Sequence, residues 1–463
     1  MIFNKKLAVA VSGAVLLMAG QFALADSTTD IVDALVSKGV LTEEEGKLIS
    51  KGHETKKKAE GTVAFKDGFK INSGDGKSNF SVNGRIQADY RQFDTPTAAG
   101  TGSGANSDTF DLRRTYLTAK GTFRNFINFE ATINPAGAGA GSTTISTLKY
   151  YWLEAAFSDK FKVRAGQFKA PMGFDVLTSS RFSDMTERDM STYLTQSINK
   201  GVMVHGVPTT GVTYALMLSN GGLTYEAGET AIENSNTWDG KSVTGRLTAN
   251  IAEIMGNKEA IAHLGAAYGV DTNLPTGTTA IRTSARGTTF FTSPSLVNPN
   301  IDRMGLEGVF AYGPYKLQTE YTRASYQVEG VNDRDIDGYY ANISWMVTGE
   351  KYADAYKNGL MDRMRPLKDY TGLDSSGWGA WEVGFRYSKI DANDFEPQIT
   401  ATAAATKVDA YTAGIKWIID PNTRVLFNYI YTDYGRPIAI AAVNGTSRSD
   451  HEGAVNVRAQ FDF

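Results

Sequence analysis

The chain has 463 residues, of which 47 are glycine and 11% are aromatic, and its formal net charge is −3. The absence of cysteine excludes disulfides, thiol catalysis and thiolate metal sites. The histidines His53, His205, His263 and His451 are scattered without metal-ligand spacing, so we expect no metal ion and no other cofactor.

The N-terminal residues 1–25 have the three parts of a secretory signal peptide. Lys5 and Lys6 precede an apolar run at 7–17, and Ala23-Leu24-Ala25 forms a small-x-small cleavage site. The apolar run is shorter than the roughly 20 residues that a membrane-spanning helix needs. The sequence therefore predicts export and removal of residues 1–25.

Residues 26–60 have helical rather than strand periodicity. Leu35 and Val36 lie at helical spacing, and Gly39 suits a helix end. Thr42 and Glu45 form a capping box that opens a second short helix. This pattern predicts a small helical segment on the periplasmic side, and a solvated linker is the alternative.

From Phe80 onward the period of the sequence changes to two. Apolar residues such as Val82 and Ile86 alternate with polar residues such as Arg85 and Gln87, and the pattern recurs to the C-terminal Phe463. We count about sixteen such segments, an even number as in single-chain bacterial barrels. Alternation alone also fits a soluble sandwich. The signal peptide, the aromatic strand ends and the terminal Phe together predict an all-β fold, a transmembrane antiparallel β-barrel over 61–463.

Tight turns alternate with long loops rich in Gly, Ser, Thr and Asn, as expected of such a barrel. Residues 168–200, here called the constriction loop, lack strand alternation, and Pro171 and Gly173 interrupt any strand. We expect this loop to fold into the barrel and narrow it. Residues 349–377 fall on the short-turn side but are long and charged, which predicts that they fold against or into the periplasmic mouth.

Charge on the polar strand faces is unequal, with about twelve basic against about seven acidic residues, and rings of Arg and Lys favour anions in pores. The alternative is that both charges only keep the lumen hydrated. Arg113 and Arg114 would point to opposite faces of a regular strand, and a bulge could aim both inward. The candidate anion pathway is Arg85, Arg91, Arg113, Arg114, Lys120, Lys162, Arg164, Arg246, Arg386, Lys416 and Arg458, with Lys169, Arg181 and Arg188 on the constriction loop; Lys316 and Arg424 also enter the count.

Several motifs resemble those of the phosphate-selective porin O and P family across almost the whole chain. They include Gly84-Arg85-x-Gln87-Ala88-Asp89-Tyr90, Leu112-Arg113-Arg114-x-Tyr116-Leu117, Gly166-Gln167-Phe168-x-x-Pro171-x-Gly173, Glu187-Arg188 and Gly305-Leu306-Glu307-Gly308. The resemblance implies a 16-stranded outer-membrane barrel, a homotrimer in outer-membrane lipid and lipopolysaccharide, and passive uptake of phosphate or related anions. It also implies that Arg85, Arg113 and Arg114 line an arginine-rich constriction.

One departure from the family bears on the solute. Gln167 stands where strongly phosphate-selective members have Arg, so "small anions" is a safer expectation than phosphate alone. A general or weakly selective diffusion porin is the alternative function. A barrel enzyme would need a Ser/His or Asp/His constellation, which four scattered histidines do not support. A purely structural anchor would need a large soluble domain, and only residues 26–60 are available for one.

Overall fold

The computed structural model describes residues 27–50, 61–65, 68–94, 108–135, 147–196, 198–221, 240–373, 376–399, 404–442 and 445–463. The predicted signal peptide, the end of the 26–60 segment and much of three predicted outer loops (95–107, 136–146 and 222–239) lie outside the described residues. The chain forms two compact units, one of Met1–Ala64 with Ile71–Asn79 and one of Phe65–Lys70 with Phe80–Phe463.

The first unit contains two short helices, as the sequence predicts. Helix α1 spans Ser27–Ser37, and the turn that follows it contains Gly39, which has a φ of 70°. A second helix spans 43–50. The capping box is confirmed, because the Glu45 N–H donates to Thr42 Oγ1 at 3.2 Å and the Thr42 N–H donates to Glu45 Oε2 at 2.9 Å. No helix in the described ranges is long and apolar enough to cross a membrane.

The described residues contain strands β1 to β22 in chain order. They are β1 Thr62–Phe65, β2 Phe69–Asn72, β3 Asn79–Phe93, β4 Thr109–Phe123, β5 Ile127–Asn134, β6 Thr147–Ser158, β7 Phe161–Lys169, β8 Ile198–Thr209, β9 Val212–Ser219, β10 Lys241–Asn250, β11 Ala260–Thr272, β12 Ala280–Arg282, β13 Thr289–Thr292, β14 Asn300–Tyr312, β15 Tyr315–Gln327, β16 Arg334–Met346, β17 Tyr356–Lys357, β18 Leu360–Met361, β19 Ala380–Asp391, β20 Lys407–Ile418, β21 Thr423–Ala442 and β22 Gly445–Asp462. Short helical turns occupy Phe174–Leu177, Met190–Leu194, Ile251–Ile254, Tyr352–Ala355 and Asn393–Gln398.

Sixteen of these strands form one closed antiparallel barrel, which confirms the predicted fold. They are β3 to β11, β14 to β16 and β19 to β22, and each pairs with its neighbour in chain order. The barrel closes between the last and first of them, where β22 pairs with β3 from Ala454↔Phe93 to Asp462↔Arg85. Closure leaves no unpaired sheet edge, which is how a β-structure can satisfy its backbone hydrogen bonds in lipid.

The predicted alternation of the strands matches their burial. On β3 the residues Arg85, Gln87 and Asp89 are buried, whereas Ile86 and Ala88 between them are exposed. On β22 the residues Asn456, Arg458, Gln460 and Asp462 are buried. Buried polar and exposed apolar side chains show that the polar face points into the lumen and the apolar face points outward.

Among the described residues, connections at both ends of the barrel pack against its inner face. The constriction loop joins β7 to β8, and the residues between β11 and β14 contain the small hairpin β12–β13, here called the inner hairpin (residues 273–299). Both lie on the side of the long loops. On the side of the short turns, residues 347–379 between β16 and β19, here called the turn-end segment, contain the hairpin β17–β18.

Apolar side chains fix these insertions against the wall. At the long-loop side, Leu194 of the constriction loop and Phe291 of the inner hairpin share one buried cluster with the wall residues Tyr326 and Ile336. At the short-turn side, Phe174 shares another cluster with Tyr352 and Met361 of the turn-end segment. Described residues of 168–200 and of 349–377 therefore pack against lumenal residues of the wall. The sequence did not predict inward folding of the inner hairpin.

Candidate functional site

The constriction loop is held at its start by a wall carboxylate. Glu320 on β15 accepts hydrogen bonds from the backbone N–H groups of Phe174 and Asp175, each at 2.7 Å. Glu320 also accepts one from the Tyr340 hydroxyl at 2.5 Å. Because first-turn N–H groups have no partner within their own helix, this carboxylate caps the helical turn Phe174–Leu177 and ties it to the wall.

A second attachment uses an acidic residue of the loop. Asp184 accepts hydrogen bonds from Lys316 Nζ at 2.6 and 2.8 Å and from Asn342 Nδ2 at 2.7 Å. The Lys416 ammonium lies 3.8 Å from the same carboxylate and 2.9 Å from Glu382. These lysines are buried, so the loop carboxylate neutralises charge that the wall alone would leave uncompensated.

The third attachment is a carboxylate among arginines. Arg113 grips Glu187 with two hydrogen bonds, of 2.7 and 3.0 Å, and Arg458 Nη2 donates to Glu187 at 2.8 Å. Arg91 and Arg114 lie 3.7 and 4.0 Å from the same carboxylate. Burial alone would raise the pKa of Glu187, a loop residue, but Arg113, Arg458 and Arg114 hold it well below its usual value. Glu187 is therefore a permanent anion at neutral pH.

Asp89 on β3 completes this network from the wall. Arg458 donates to both oxygens of Asp89 at 2.7 Å, and Arg91 Nη2 donates to it at 3.0 Å. Four arginines, Arg91, Arg113, Arg114 and Arg458, thus share two carboxylates. We call these six residues the arginine cluster.

The adjacent residues Arg113 and Arg114 both face the lumen, as the predicted bulge would require. Leu112 and Leu117 are exposed on the outer face, whereas Arg113, Arg114 and Tyr116 are buried. The face that points inward therefore changes between Leu112 and Arg114. Arg114 then donates to Gln87 at 2.9 Å, while Arg113 reaches the loop.

A similar irregularity on β6 brings in a lysine that the sequence reasoning missed. The pairing of β5 with β6 shifts between Thr132↔Tyr150 and Ile133↔Leu148, which leaves Lys149 as an extra residue. Lys149 is buried and its ammonium lies 4.5 Å from the centre of the Tyr116 ring, to whose hydroxyl it also donates. A bulge of this kind leaves no signal in a strictly alternating pattern.

The inner hairpin is attached to the last strand and brings further positive charge. The Thr288 N–H and the Thr283 hydroxyl donate to Glu452 on β22 at 2.7 and 2.6 Å. Arg286 on this hairpin is close enough to Arg113 that their repulsion, together with burial, lowers the pKa of Arg286 to about 9. Arg286 remains charged at neutral pH and adds to the field around the arginine cluster.

The turn-end segment is attached by polar contacts on the opposite side of the barrel. The Tyr356 hydroxyl lies 2.7 Å from His263 Nδ1, and His263 Nε2 lies 2.9 Å from Glu307. Arg246 pairs with the same Glu307 and donates to the Gly359 carbonyl oxygen at 3.3 Å. Arg246 therefore positions the segment as well as lining the lumen.

A cavity lies between the constriction loop and the wall formed by β5 to β10. This cavity of about 580 Å³, here called the open passage, is bordered by Leu177 and Ser180 of the constriction loop and by Asn358 and Leu360 of the turn-end segment. Its basic lining residues are Arg85, Lys162, Arg164, Lys169 and Arg246, and its acidic ones are Glu130, Glu154 and Asp159.

Several of these charged groups have partners on the passage wall. Arg164 pairs with Glu154 and lies 4.0 Å from the centre of the Trp152 ring. His205 contacts the same Glu154 at 2.8 Å. Arg85 lies 4.4 Å from the centre of the Tyr116 ring and donates to the Ser180 hydroxyl at 3.0 Å. The passage thus combines cations with aromatic rings that limit where their side chains can move.

The candidate pathway residues separate into three groups. Arg85, Lys162, Arg164, Lys169 and Arg246 line the open passage. The second group belongs to the arginine cluster: Arg91, Arg113, Arg114 and Arg458. Nearby, Arg386 donates to the Glu187 carbonyl oxygen and Arg424 to that of Arg181. Asp184 is contacted by Lys316 and Lys416. The third group lies on the constriction loop, where Lys169 and Arg188 donate to loop carbonyl oxygens and Arg181 donates to Asn83. Lys120 belongs to none of these groups and is exposed near the end of β4.

A count over strand residues alone overestimates the uncompensated positive charge of the lumen. The loop carboxylates Asp184 and Glu187 enter the barrel and pair with the wall cations. Arg303 on β14, also missed by the sequence reasoning, is paired with Asp271 at 2.8 Å. In the described part of the chain, no group of three or more acidic residues, histidines or cysteines is arranged to hold a metal ion.

Comparison with known proteins identifies relatives of this barrel. A family model described as "Phosphate-selective porin O and P" matches residues 80–463. Porin O of Pseudomonas aeruginosa is 24% identical over 431 residues, which cover 87% of this chain and 92% of that protein.

Solved structures agree with the fold. The anion-selective porin from Comamonas acidovorans has a TM-score of 0.50 at 12% identity, and the match covers 83% of this chain and all of that one. A loop-deleted form of OmpT, an outer membrane protein of Vibrio cholerae, gives the same score and identity with 84% of this chain covered. Because the family model covers most of the chain, including the whole barrel, the protein belongs to the phosphate-selective porin O and P family and is an outer-membrane porin.

Proposed function

We propose that this porin is a passive channel that favours small anions such as phosphate or polyphosphate. The single observation that carries the proposal is the charge of the open passage. Its lining has five basic residues and three acidic ones, a formal excess of two positive charges with His205 counted as neutral. Fixed cations beside a water-filled path raise the local concentration of anions and lower that of cations.

The arginines of the passage suit oxyanions in particular. A guanidinium stays charged at every physiological pH, and its fork of N–H groups matches the oxygens of carboxylate or phosphate. The lining also contains the hydroxyl groups of Ser179 and Ser180, beside Arg85 and Lys169. Hydroxyl and ammonium groups can replace part of the water that a phosphate ion loses on entering a narrow passage.

A weakly selective diffusion porin is the second candidate, and a specific observation favours it. Arg164 and Arg246 are paired with Glu154 and Glu307, and Lys162 lies 3.1 Å from Asp159. In this reading the lumenal cations mainly balance nearby acids, and only Arg85 and Lys169 act on a passing ion.

The test is the zero-current potential of the purified protein in a planar bilayer across a KCl gradient, followed by addition of phosphate. An anion-selective potential, with chloride current blocked by low phosphate concentrations, is the expected result. A potential near zero or a cation-selective one would replace the proposal with the weakly selective porin.

We further propose that residues 1–25 are removed on export and that the barrel functions as a homotrimer in contact with outer-membrane lipid and lipopolysaccharide. The basic, apolar and small-residue parts of 1–25 support removal, and family membership supports the trimer. The intact mass of the purified protein tests removal. The mass of the unheated detergent complex, compared with the heated one, tests the trimer.

A further inference from the structure

The arginine cluster has the composition of an oxyanion site, but its central anion belongs to the protein. The Glu187 carboxylate receives two hydrogen bonds from Arg113 and one from Arg458, and Arg91 and Arg114 lie within 4.0 Å. Its side chain is only 5% exposed. Paired forks from several guanidiniums are the arrangement by which proteins bind planar or tetrahedral oxyanions.

Two small cavities adjoin this carboxylate. One small cavity is lined by Glu187 together with Arg114, Arg188 and Arg286, and another by Glu187 together with Asp184 and Arg386. Each has a volume of about 10 Å³, close to the space that one water molecule needs. The carboxylate therefore borders two water-sized cavities that are both lined by guanidinium groups.

Charge in the cluster is not balanced even with this carboxylate present. Four arginines face the buried carboxylates of Asp89 and Glu187 and the partly exposed carboxylate of Asp111, which lies 3.5 Å from Arg91, and this leaves a formal charge of +1 (4 − 3). Removing Glu187 would leave +2 around a vacated, buried volume. Arg286 from the inner hairpin increases this charge further.

We propose that Glu187 is an internal ligand of an anion-binding site formed by Arg91, Arg113, Arg114 and Arg458, and that a free oxyanion such as phosphate or formate can take its place. Glu187 then limits the affinity of the lumen for anions, because this cluster of guanidiniums is already occupied. This inference deepens the proposed function, on which its meaning for transport rests. The alternative is that the cluster only attaches the constriction loop to the wall.

The experiment uses Glu187→Ala, which removes the carboxylate and its volume, and Glu187→Gln, which removes only the charge. Glu396→Gln is the matched control, because Glu396 is a partly exposed carboxylate that is also paired with an arginine, Arg436, near the long-loop end of β21. The first readout is the temperature at which the detergent-solubilised barrel loses its folded electrophoretic mobility, with phosphate or formate and with KCl of equal ionic strength.

Glu187→Ala is expected to unfold at a lower temperature than the wild type in KCl and to recover most of the loss in phosphate or formate. Its affinity for radiolabelled phosphate in equilibrium dialysis should exceed that of the wild type by roughly tenfold or more, because buried charge-assisted hydrogen bonds are otherwise left unmade. Glu187→Gln should recover less, because its amide still fills the site. Glu396→Gln should show neither the oxyanion-specific recovery nor the gain in affinity.

The proposal is overturned if oxyanions stabilise Glu187→Ala no more than KCl does and phosphate affinity does not rise. It is also overturned if both Glu187 variants fail to assemble in phosphate while Glu396→Gln assembles, because no free anion would then replace the carboxylate. Dialysis and thermal rescue need no membrane. If oxyanions restore the thermal stability of Glu187→Ala but the wild type gives no anion-selective current, the anion site stands and the proposed function is rejected. If the wild type is anion-selective but oxyanions do not stabilise Glu187→Ala, the proposed function stands and the anion site is rejected.

Discussion

The charge of the open passage predicts how strongly ion selectivity depends on two residues. Arg85→Gln combined with Lys162→Gln lowers the count of basic lining residues from five to three, equal to the three acidic ones. A unit charge 4 Å from an ion contributes about 1 kcal/mol in bulk water. That energy corresponds to about a fivefold change in local ion concentration for each charge removed.

Both substitutions together should therefore lower the local chloride concentration by up to about 25-fold and raise that of potassium by as much, because two such contributions multiply and act on the two ions with opposite sign. The preference for chloride over potassium should fall sharply. Glutamine at position 85 can still donate a hydrogen bond to Ser180, so the contact between this position and the constriction loop is retained. The measurement is the zero-current potential in a bilayer at about 0.1 M salt, where the screening length is about 10 Å. A lower salt concentration would exaggerate the effect and a much higher one would hide it.

The control is Lys407→Gln, which removes an exposed lysine whose Asp391 partner lies at 3.7 Å. Its zero-current potential should equal that of the wild type. If the double variant also keeps the wild-type potential, the open passage does not set selectivity. The assignment of the ion path to the space beside β5 to β10 would then be wrong.

Three further changes test separate parts of the structure. Asp184→Asn leaves the buried Lys316 without its carboxylate and Lys416 with Glu382 alone, which should destabilise the loop attachment by about 3–5 kcal/mol and increase single-channel current noise. Glu154→Gln removes the partner of Arg164, so the zero-current potential should become more anion-selective. Gly166→Ala should prevent assembly of a heat-resistant barrel, because φ is 136° and the new Cβ would lie 2.3 Å from a carbonyl oxygen of the paired strand. Gly245→Ala is the control and should assemble normally, because the atom nearest to its new Cβ lies at 3.8 Å.

The barrel wall was predictable because one physical rule governs every strand. Residues that face lipid must be apolar and residues that face water must be polar, so a period of two indicates both the strands and their faces. The lumenal placement of Arg85, Arg246 and Arg458 followed directly from this rule. Capping chemistry at Thr42 and Glu45 was equally local and equally predictable.

Bulges and long-range pairs were less accessible from the sequence. The extra residue Lys149 differs from its neighbours only by the register of two strands, which no local pattern specifies. Glu187 and Arg458 are 271 positions apart, so their contact depends on closure of the whole barrel. The acidic loop residues could be seen in the sequence, but which wall cations they neutralise could not.

The inner hairpin shows another limit. The polar composition of residues 273–299 suggested an external loop, yet Ala285, Phe290 and Phe291 are fully buried. Phe290 and Phe291 share a buried cluster with apolar lumenal residues at the long-loop end of the wall, such as Tyr326 and Ile336, and Ala285 shares another with Phe93 and Ile430. Apolar residues on the inner face of a barrel strand, where water would be expected, are the signal that could have indicated an insertion.

The constriction loop also links the two strands at which the cylinder closes. Its residues 180–187 bond Arg85 on the first barrel strand, β3, and Arg458 and Gln460 on the last, β22. Docking of the loop and joining of the chain ends are therefore coupled steps of assembly, although the two strands are far apart in sequence. A variant with a loosened loop, such as Asp184→Asn, should show faster hydrogen exchange at the β3–β22 seam than at the pairing of β10 with β11, which lies opposite the seam in the strand order. Equal exchange at both places would mean that the seam closes without help from the loop.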